Sequence, residues 1–289
     1  MSSTSDPHSR LLAWFAENRR DLPWRQSSDP WGVLVSEVML AQTPVARVEP
    51  VWRAWMDRWP EPADLAAEPA AEAIKAWGRL GYPRRALRLH EAAGIIVEQY
   101  GGEVPDDYDR LIALPGVGDY TAAAVVSFAF GGRATVLDVN VRRFYARYFD
   151  GQPAPATHLT AAERRRAAEI VPDRDPALWA GATMEFGQLV CTARAPKCES
   201  CCVADDCRWL ARGRPDSHLR TTRPQGFAGT DRQVRGLIVD LLRAGPAPQE
   251  AVDLLWADRI QLARALDSLV ADGLVDPVGQ GRYALPGDG

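Results

Sequence analysis

Lysine is almost missing from this 289-residue chain: only Lys75 and Lys197 stand among 34 lysines and arginines combined. A reaction that needs a lysine nucleophile therefore has two candidates, and Lys197 sits inside a cysteine-rich stretch. A membrane-length apolar run is also lacking. The most apolar stretch, TAAAVVSFAF at 121–130, falls well short of the roughly 20 residues a spanning helix requires, and reads as a buried helix. The N-terminus, MSSTSDPHSR, has no apolar core behind its one arginine, so it does not read as a secretory leader, and a cytoplasmic protein is expected. Excess positive charge is absent as well. The net charge is −4, so composition does not announce a nucleic-acid binder. Arg79, Arg84, Arg85 and Arg88 do form an acid-free basic run, and Arg142, Arg143 and Arg147 form another. On charge alone both read as solvated helix faces. Cysteines are absent from most of the chain, because all five lie between Cys191 and Cys207. A disulfide framework would spread them out, so the clustering argues for a metal site.

What is present is helical spacing nearly everywhere. The length suits one large domain or two to three small ones. Helices are expected over 9–18, 30–42, 44–59, 70–77, 84–100, 106–113, 120–130, 139–149, 161–170 and 177–190. Asp29-Pro30 reads as an N-cap followed by proline in the first turn. Thr43 precedes Pro44 and is pushed out of helical geometry, which leaves Ala41, Gln42 and Thr43 at an exposed corner. Residues 211–228, rich in Arg, Pro, Gly and Thr, read as a linker. Beyond them, three helices (231–243, 248–256 and 259–271) and a small hairpin with its turn at 279–281 suggest a winged helix. The fold class expected is all-α up to residue 220, with a small winged-helix-like C-terminal unit.

Four features carry chemistry. The spacing Cys191-x6-Cys198-x2-Cys201-x5-Cys207 can hold a [4Fe–4S] cluster or structural zinc, although zinc sites usually have two short pairs and this has one. Cys202 reads as a bystander. Leu114-Pro115-Gly116-Val117-Gly118 either is a plain turn between helices or presents bare N–H groups to a phosphate at a helix start. Glu37 lies among apolar neighbours, where burial would raise its pKa. Asp138 stands just before a helix, whose N-terminus would lower its pKa. One protonated and one ionised acid is a pattern that breaks glycosidic bonds; the plainer alternatives are a solvent-facing Glu37 and an N-cap Asp138. Tyr82, between Gly81 and Pro83, suits a wedge in a base stack or simple packing on its own helix.

These motifs, in this order, resemble the endonuclease III-like branch of the helix-hairpin-helix glycosylases, and within it the MutY-type adenine DNA glycosylases. The resemblance spans residues 9–212 and rests on Arg20-Asp21-Leu22-Pro23-Trp24-Arg25, Ser36–Val45, Leu80-Gly81-Tyr82, Leu114–Thr121, Asp138–Arg142, Met184-Glu185-Phe186-Gly187 and the four cysteines. It implies a two-lobed fold: 1–28 with 135–210 as the iron–sulfur lobe, and 29–134 as a six-helix lobe with the hairpin. The linker 211–228 and the C-terminal unit 229–289 follow. It implies that Glu37 protonates adenine and Asp138 steadies an oxocarbenium-like sugar, with Tyr120 and Asn140 as partners. Arg20, Leu22, Trp24, Arg25, Val45 and Glu185 would line the adenine pocket. Gln42, Thr43 and Tyr82 would probe the opposite base and plug the stack, while Gly116 and Gly118 would touch phosphate. Cys191, Cys198, Cys201 and Cys207 would ligate a [4Fe–4S] cluster that holds a basic loop with Arg194 and Lys197 against DNA. The implied partner is duplex DNA with a mismatched or oxidised base pair, bound by a monomer.

The strand-cleaving relatives carry a lysine where this chain has Tyr120, which implies a monofunctional glycosylase acting through water. Other departures are Ala41 in place of a second glutamine, Val139 beside the aspartate, and Cys202 in place of proline. No counterpart of the large β-rich C-terminal domain that reads 8-oxoguanine is evident. The alternatives are a thymine mismatch glycosylase and a non-catalytic DNA-binding iron–sulfur protein.

Overall fold

A computed structural model describes residues 6–26, 29–215 and 226–289. In chain order the helices are α1 (Pro7–Asn18), α2 (Pro30–Leu40), α3 (Val45–Arg58), α4 (Pro62–Ala66), α5 (Ala70–Trp77), α6 (Arg84–Tyr100), α7 (Tyr108–Ile112), α8 (Asp119–Phe128), α9 (Val139–Tyr148), α10 (Ala161–Ile170), α11 (Pro176–Leu189) and α12 (Arg208–Ala211). The C-terminal unit then runs α13 (Asp231–Leu242), β1 (Ala247–Pro248), α14 (Gln249–Asp253), α15 (Arg259–Ala271), β2 (Asp276–Pro277) and β3 (Arg282–Ala284). No helix among the described residues is long and apolar enough to cross a membrane.

Local chemistry accounts for most of these boundaries. Asp29 caps α2, accepting from the Trp31 and Gly32 amides at 3.1 and 2.8 Å. Pro44 sits in extended backbone as the N-cap of α3, so the corner at 41–43 is where proline chemistry puts it, although Thr43 is buried there rather than exposed. Gly101 ends α6 in left-handed geometry at φ 65°. Three elements are additional to the sequence reading, α4, α12 and β1. Five, four and two residues are too few to show a period.

The chain forms two compact units. The first comprises Met1–Val33, Asp106–Ile112 and Gly118–Thr221. Its core joins Leu11, Phe144, Tyr148, Trp179, Phe186 and Val190. Phe186 takes both Trp14 and Phe144 edge-on, at 4.9 and 5.4 Å between ring centroids. The second comprises Leu34–Pro105, Ala113–Val117 and Thr222–Gly289. There Trp55 packs edge-on against Trp59 and Trp77. Residues 118–134 therefore cluster with the cysteine-bearing segments, and the C-terminal unit clusters with α3–α6. Of the expected linker 211–228, residues 216–225 lie outside the described residues.

The C-terminal unit has the α-β-α-α-β-β order of a winged helix. Its three strands are antiparallel in the order β1-β3-β2, with Ala247 opposite Tyr283 and Asp276 opposite Ala284. Val234, Ile238, Leu242, Leu262, Leu269 and Leu285 are buried within it.

Candidate active site and cluster loop

In the first unit, Asp138 is the N-cap of α9. Its Oδ1 accepts from the amides of Asn140 (2.9 Å) and Val141 (2.7 Å), and its Oδ2 accepts from Asn140 Nδ2 at 2.6 Å. Burial pushes this carboxyl above its usual range. The bonds from Val141 and Asn140 and the charge of Arg143 pull the other way but do not cancel the lost hydration. This corrects the sequence expectation of a lowered pKa, which counted the helix terminus and not the desolvation. Tyr120, on the first turn of α8, is half-buried beside Ala123, Ala124 and Met184.

Arg143 extends the Asp138–Asn140 arrangement. It donates to Asn140 Oδ1 (2.8 Å), to the Gly187 carbonyl (2.5 Å) and to the Cys191 carbonyl (2.7 Å). The carbonyl oxygen of Asn140 would lie only 2.6 Å from a Cβ at Gly187, which explains the glycine in Met184-Glu185-Phe186-Gly187: α9 and α11 meet backbone to backbone there. One residue pair earlier on α11, Glu185 is fully buried. Arg20 holds it through Nε (2.7 Å), Nη2 (2.7 Å) and its backbone amide (3.0 Å), and Arg25 adds a bond at 3.1 Å. Burial alone would raise this carboxyl, but the two guanidiniums outweigh it and hold it at about 2. Leu22, which precedes the turn Pro23–Arg25, and Trp24 within it are buried beside these arginines in sequence. Five expected site residues thus divide into two groups, Asp138 and Asn140, joined by Arg143, and Glu185 with Arg20 and Arg25.

Cys191, Cys198, Cys201 and Cys207 line one small pocket, with Phe144, Arg147, Tyr148 and Trp209 among its other walls. Cys202 is not part of that lining. No three His, Cys, Asp or Glu side chains among the described residues converge as ligands of one ion do. A four-iron cube spreads its thiolates over separate corners, so a shared apolar cradle fits a cluster better than zinc. Arg147 braces the cradle. Its guanidinium donates to the carbonyls of Pro153, Thr192 and Ala193 (2.9, 2.7 and 3.1 Å), approaches Cys191 Sγ at 3.5 Å, and lies 4.6 Å over the Trp209 ring. The arginine group of 142–147 is therefore not a solvated face, since Arg147 is buried and Arg142 pairs with Glu163 at 2.6 Å.

In the second unit, Glu37 is buried at 5% exposure on α2, with Leu34, Val35 and Val38 buried around it in sequence. Gln42, Tyr82 and Gly116 line one open cleft of about 340 Å³, together with Arg84, Arg88 and Pro115. Tyr82 is 52% exposed. Gln42 and Tyr82 both hold left-handed backbone, at φ 56° and 50°, a strain that a surrounding structure must impose. Arg85 imposes it. It donates to the carbonyls of Val38 (2.8 Å), Met39 (3.1 Å), Ala41 (2.8 Å) and Gly81 (3.1 Å) and to Thr43 Oγ1 (3.2 Å). It also lies over the rings of Trp77 and Tyr82 at 5.2 and 5.5 Å. Sequence reasoning placed Arg85 only in a basic run. Nothing in its local spacing marks it as the residue that ties the 41–43 corner to the Tyr82 loop. Val45 is half-buried at the start of α3, two residues beyond Thr43.

The hairpin turn is closed by Val117 donating to the Leu114 carbonyl at 3.1 Å. Gly116 has φ 78°, and a Cβ there would lie 2.7 Å from Arg88 Cβ. Gly118 differs. Its backbone is extended and nothing lies within 4 Å of a Cβ position, so no neighbour requires a glycine there.

A family model described as HhH-GPD superfamily base excision DNA repair protein matches residues 35–169. The chain is 48% identical over 283 residues to the adenine DNA glycosylase of Mycolicibacterium smegmatis, covering 96% of each. It is 46% identical over 284 residues to that of Mycobacterium tuberculosis, covering 96% of this chain and 93% of the relative. Among solved structures, a thermostable thymine-DNA glycosylase superposes with a TM-score of 0.64 at 31% identity, covering 71% of this chain and 95% of its own.

Proposed function

Because the chain belongs to the adenine DNA glycosylase family, within the HhH-GPD superfamily of base excision DNA repair proteins, we propose that it is a monofunctional, monomeric, cytoplasmic glycosylase that removes adenine paired with 8-oxoguanine or guanine. The observation that carries this reading is Asp138, a carboxylate aimed by three hydrogen bonds at the start of α9, in a chain with tyrosine rather than lysine at position 120.

A stacked adenine is out of reach, so it must be flipped at a cost of a few kcal/mol, which wedge and phosphate contacts offset. Tyr82, with Gln42 and Thr43, fills the gap and reads the base left behind, and the Gly116–Gly118 turn seats the backbone phosphate. Arg20, Leu22, Trp24, Arg25, Val45 and Glu185 shape the adenine pocket. Glu37 donates a proton to the adenine ring, which then departs as a neutral base. Asp138 as the anion stabilises the positive charge that grows on the sugar. Water adds to the sugar carbon, gives up a proton, and leaves an abasic site with the strand intact. Tyr120 and Asn140 hold Asp138 and the sugar in register. Lys75 is engaged by Glu72 and Asp288 and is no candidate for attack on the sugar. Cys191, Cys198, Cys201 and Cys207 would hold a [4Fe–4S] cluster, which supplies order to the loop bearing Arg194 and Lys197 and thereby backbone affinity.

The test is single-turnover adenine release from duplexes carrying A opposite 8-oxoguanine, A opposite G, A opposite T and T opposite G. Adenine loss from the first two, with strand breakage only after alkali, is expected. Glu37→Gln should abolish release while DNA binding persists. Full activity in that variant removes Glu37 from the mechanism. Release of thymine, or of nothing, would replace the reading with a thymine glycosylase or a non-catalytic binder.

A further inference from the structure

We propose that the C-terminal unit, through Arg243 and Asp272, positions the Tyr82 loop for reading the base opposite the adenine. This rests on the reading of Tyr82 given above.

The loop from Gly78 to Tyr82 cannot hold its own shape. Gly78 and Gly81 take positive φ freely, at 54° and 87°, but Tyr82 at φ 50° carries a Cβ, and such backbone persists only where its surroundings over-determine it. Two bonds from within the local segment help, both to the Gly81 carbonyl, from Trp77 Nε1 at 3.0 Å and from Arg85. Arg47 of α3 adds a bond to the Arg79 carbonyl, and further anchors come from the C-terminal unit and bracket Tyr82 on both sides. On the upstream side, Arg243 at the end of α13 donates to the carbonyls of Ile74 (3.3 Å) and Gly78. Ile74 is in the last turn of α5 and Gly78 caps that helix, where carbonyls lack helical donors. Asp240 keeps that guanidinium in place and also pairs with Arg79 at 3.1 Å. On the downstream side, Asp272 at the end of α15 pairs with Arg84 at 3.0 Å and with Arg235 at 2.6 Å. Arg84 opens α6 and lines the same cleft as Tyr82 and Gln42.

Asp240, Asp272 and Asp288 face Arg79, Arg84 and Lys75 of the helices around the loop, and this is a docking charge pattern rather than a DNA-binding one. A unit with no role in contacting the lesion can still set which opposite base is accepted, by holding the side chain that reads it.

The test uses the full-length protein. Release rates from A opposite 8-oxoguanine and A opposite G are measured under saturating enzyme for wild type, Tyr82→Ala, Arg243→Ala and the double variant, well below each melting temperature. Arg243→Ala should reduce the 8-oxoguanine-over-guanine rate ratio by at least about fivefold, as Tyr82→Ala does, and the double variant should fall no further than Tyr82→Ala. A residue that only stabilises the fold would lower the melting temperature, leave the ratio intact, and add to Tyr82→Ala. If Arg243→Ala does not fold, Asp272→Asn, which keeps the side-chain shape and releases Arg84, answers the same question. A ratio changed by Tyr82→Ala but not by these variants overturns the positioning role alone. A ratio unchanged by Tyr82→Ala overturns the Tyr82 reading, and this proposal with it.

Discussion

Asp138 combines a cap and a buried charge, and the two pull its stability effect in opposite directions. Asparagine caps a helix as well as aspartate does, so Asp138→Asn should keep α9 and discard only the desolvated anion. Because folding raises this pKa, the folded state favours the proton. Its contribution is harmless below the usual aspartate value of about 3.9 and turns destabilising as pH climbs through the raised value. The variant should therefore melt at or above the wild-type temperature at pH 7, and the difference should vanish near pH 4. Its release rate should drop by roughly 10²–10³. For the same reason, the acid limb of the wild-type rate profile should lie above the ordinary aspartate range, as a single-turnover pH series would read. Glu185 has the opposite sign. Held at about 2 by Arg20 and Arg25, it stabilises the protein above its unfolded value of 4.5 and loses that effect as pH falls toward 2. Glu185→Gln should cost about 3 kcal/mol at neutral pH, the low end for a broken buried pair because both arginines keep some solvent contact. Denaturant melts at pH 7 and pH 3 should show the gap narrowing.

At the scale of elements, the crossing of α9 and α11 sets both the Asp138 site and the first cysteine. Gly187 permits it, and alanine would press on the Asn140 backbone, which has no side chain to swing away. Gly187→Ala should lose about 1–3 kcal/mol by overpacking, more than the roughly 1 kcal/mol alanine gains inside a helix. Release of adenine should slow as Asn140 shifts. A variant that melts higher than wild type, with activity intact, would refute the close crossing. Helix limits were largely legible from local signals: α5, α6 and α10 match their expected ranges, and Asp29 and Pro44 act as written in the chain. The role of Gly187 was legible only as part of a motif, because its partner lies far away in sequence.

For the whole molecule, the cysteine spacing predicts a difference between neighbours. Cys198→Ser should remove the visible absorption of an iron–sulfur thiolate centre and lower the melting temperature, whereas Cys202→Ser should leave both unchanged. Loss of the absorption in both variants would place Cys202 among the ligands, against its absence from the pocket that the other four line. Removing the cluster with an added oxidant and a chelator should weaken DNA binding and make its salt dependence shallower than that of the loaded enzyme, since fewer phosphate contacts would remain.

By itself, the amino-acid sequence determined whatever depends on short offsets: the helices, their caps, the hairpin glycines, the four-cysteine spacing and the missing lysine. Such features arise from steric and hydrogen-bonding rules that act within a few residues. Tertiary structure alone decided that Arg85 and Arg143 would be internal braces instead of solvated charges. It also decided that burial would overrule the helix terminus at Asp138, and that the acids of the C-terminal unit would face the arginines around Tyr82. Desolvation and long-range pairing decide each of these, and both depend on which distant segments pack together, a quantity that no local spacing encodes.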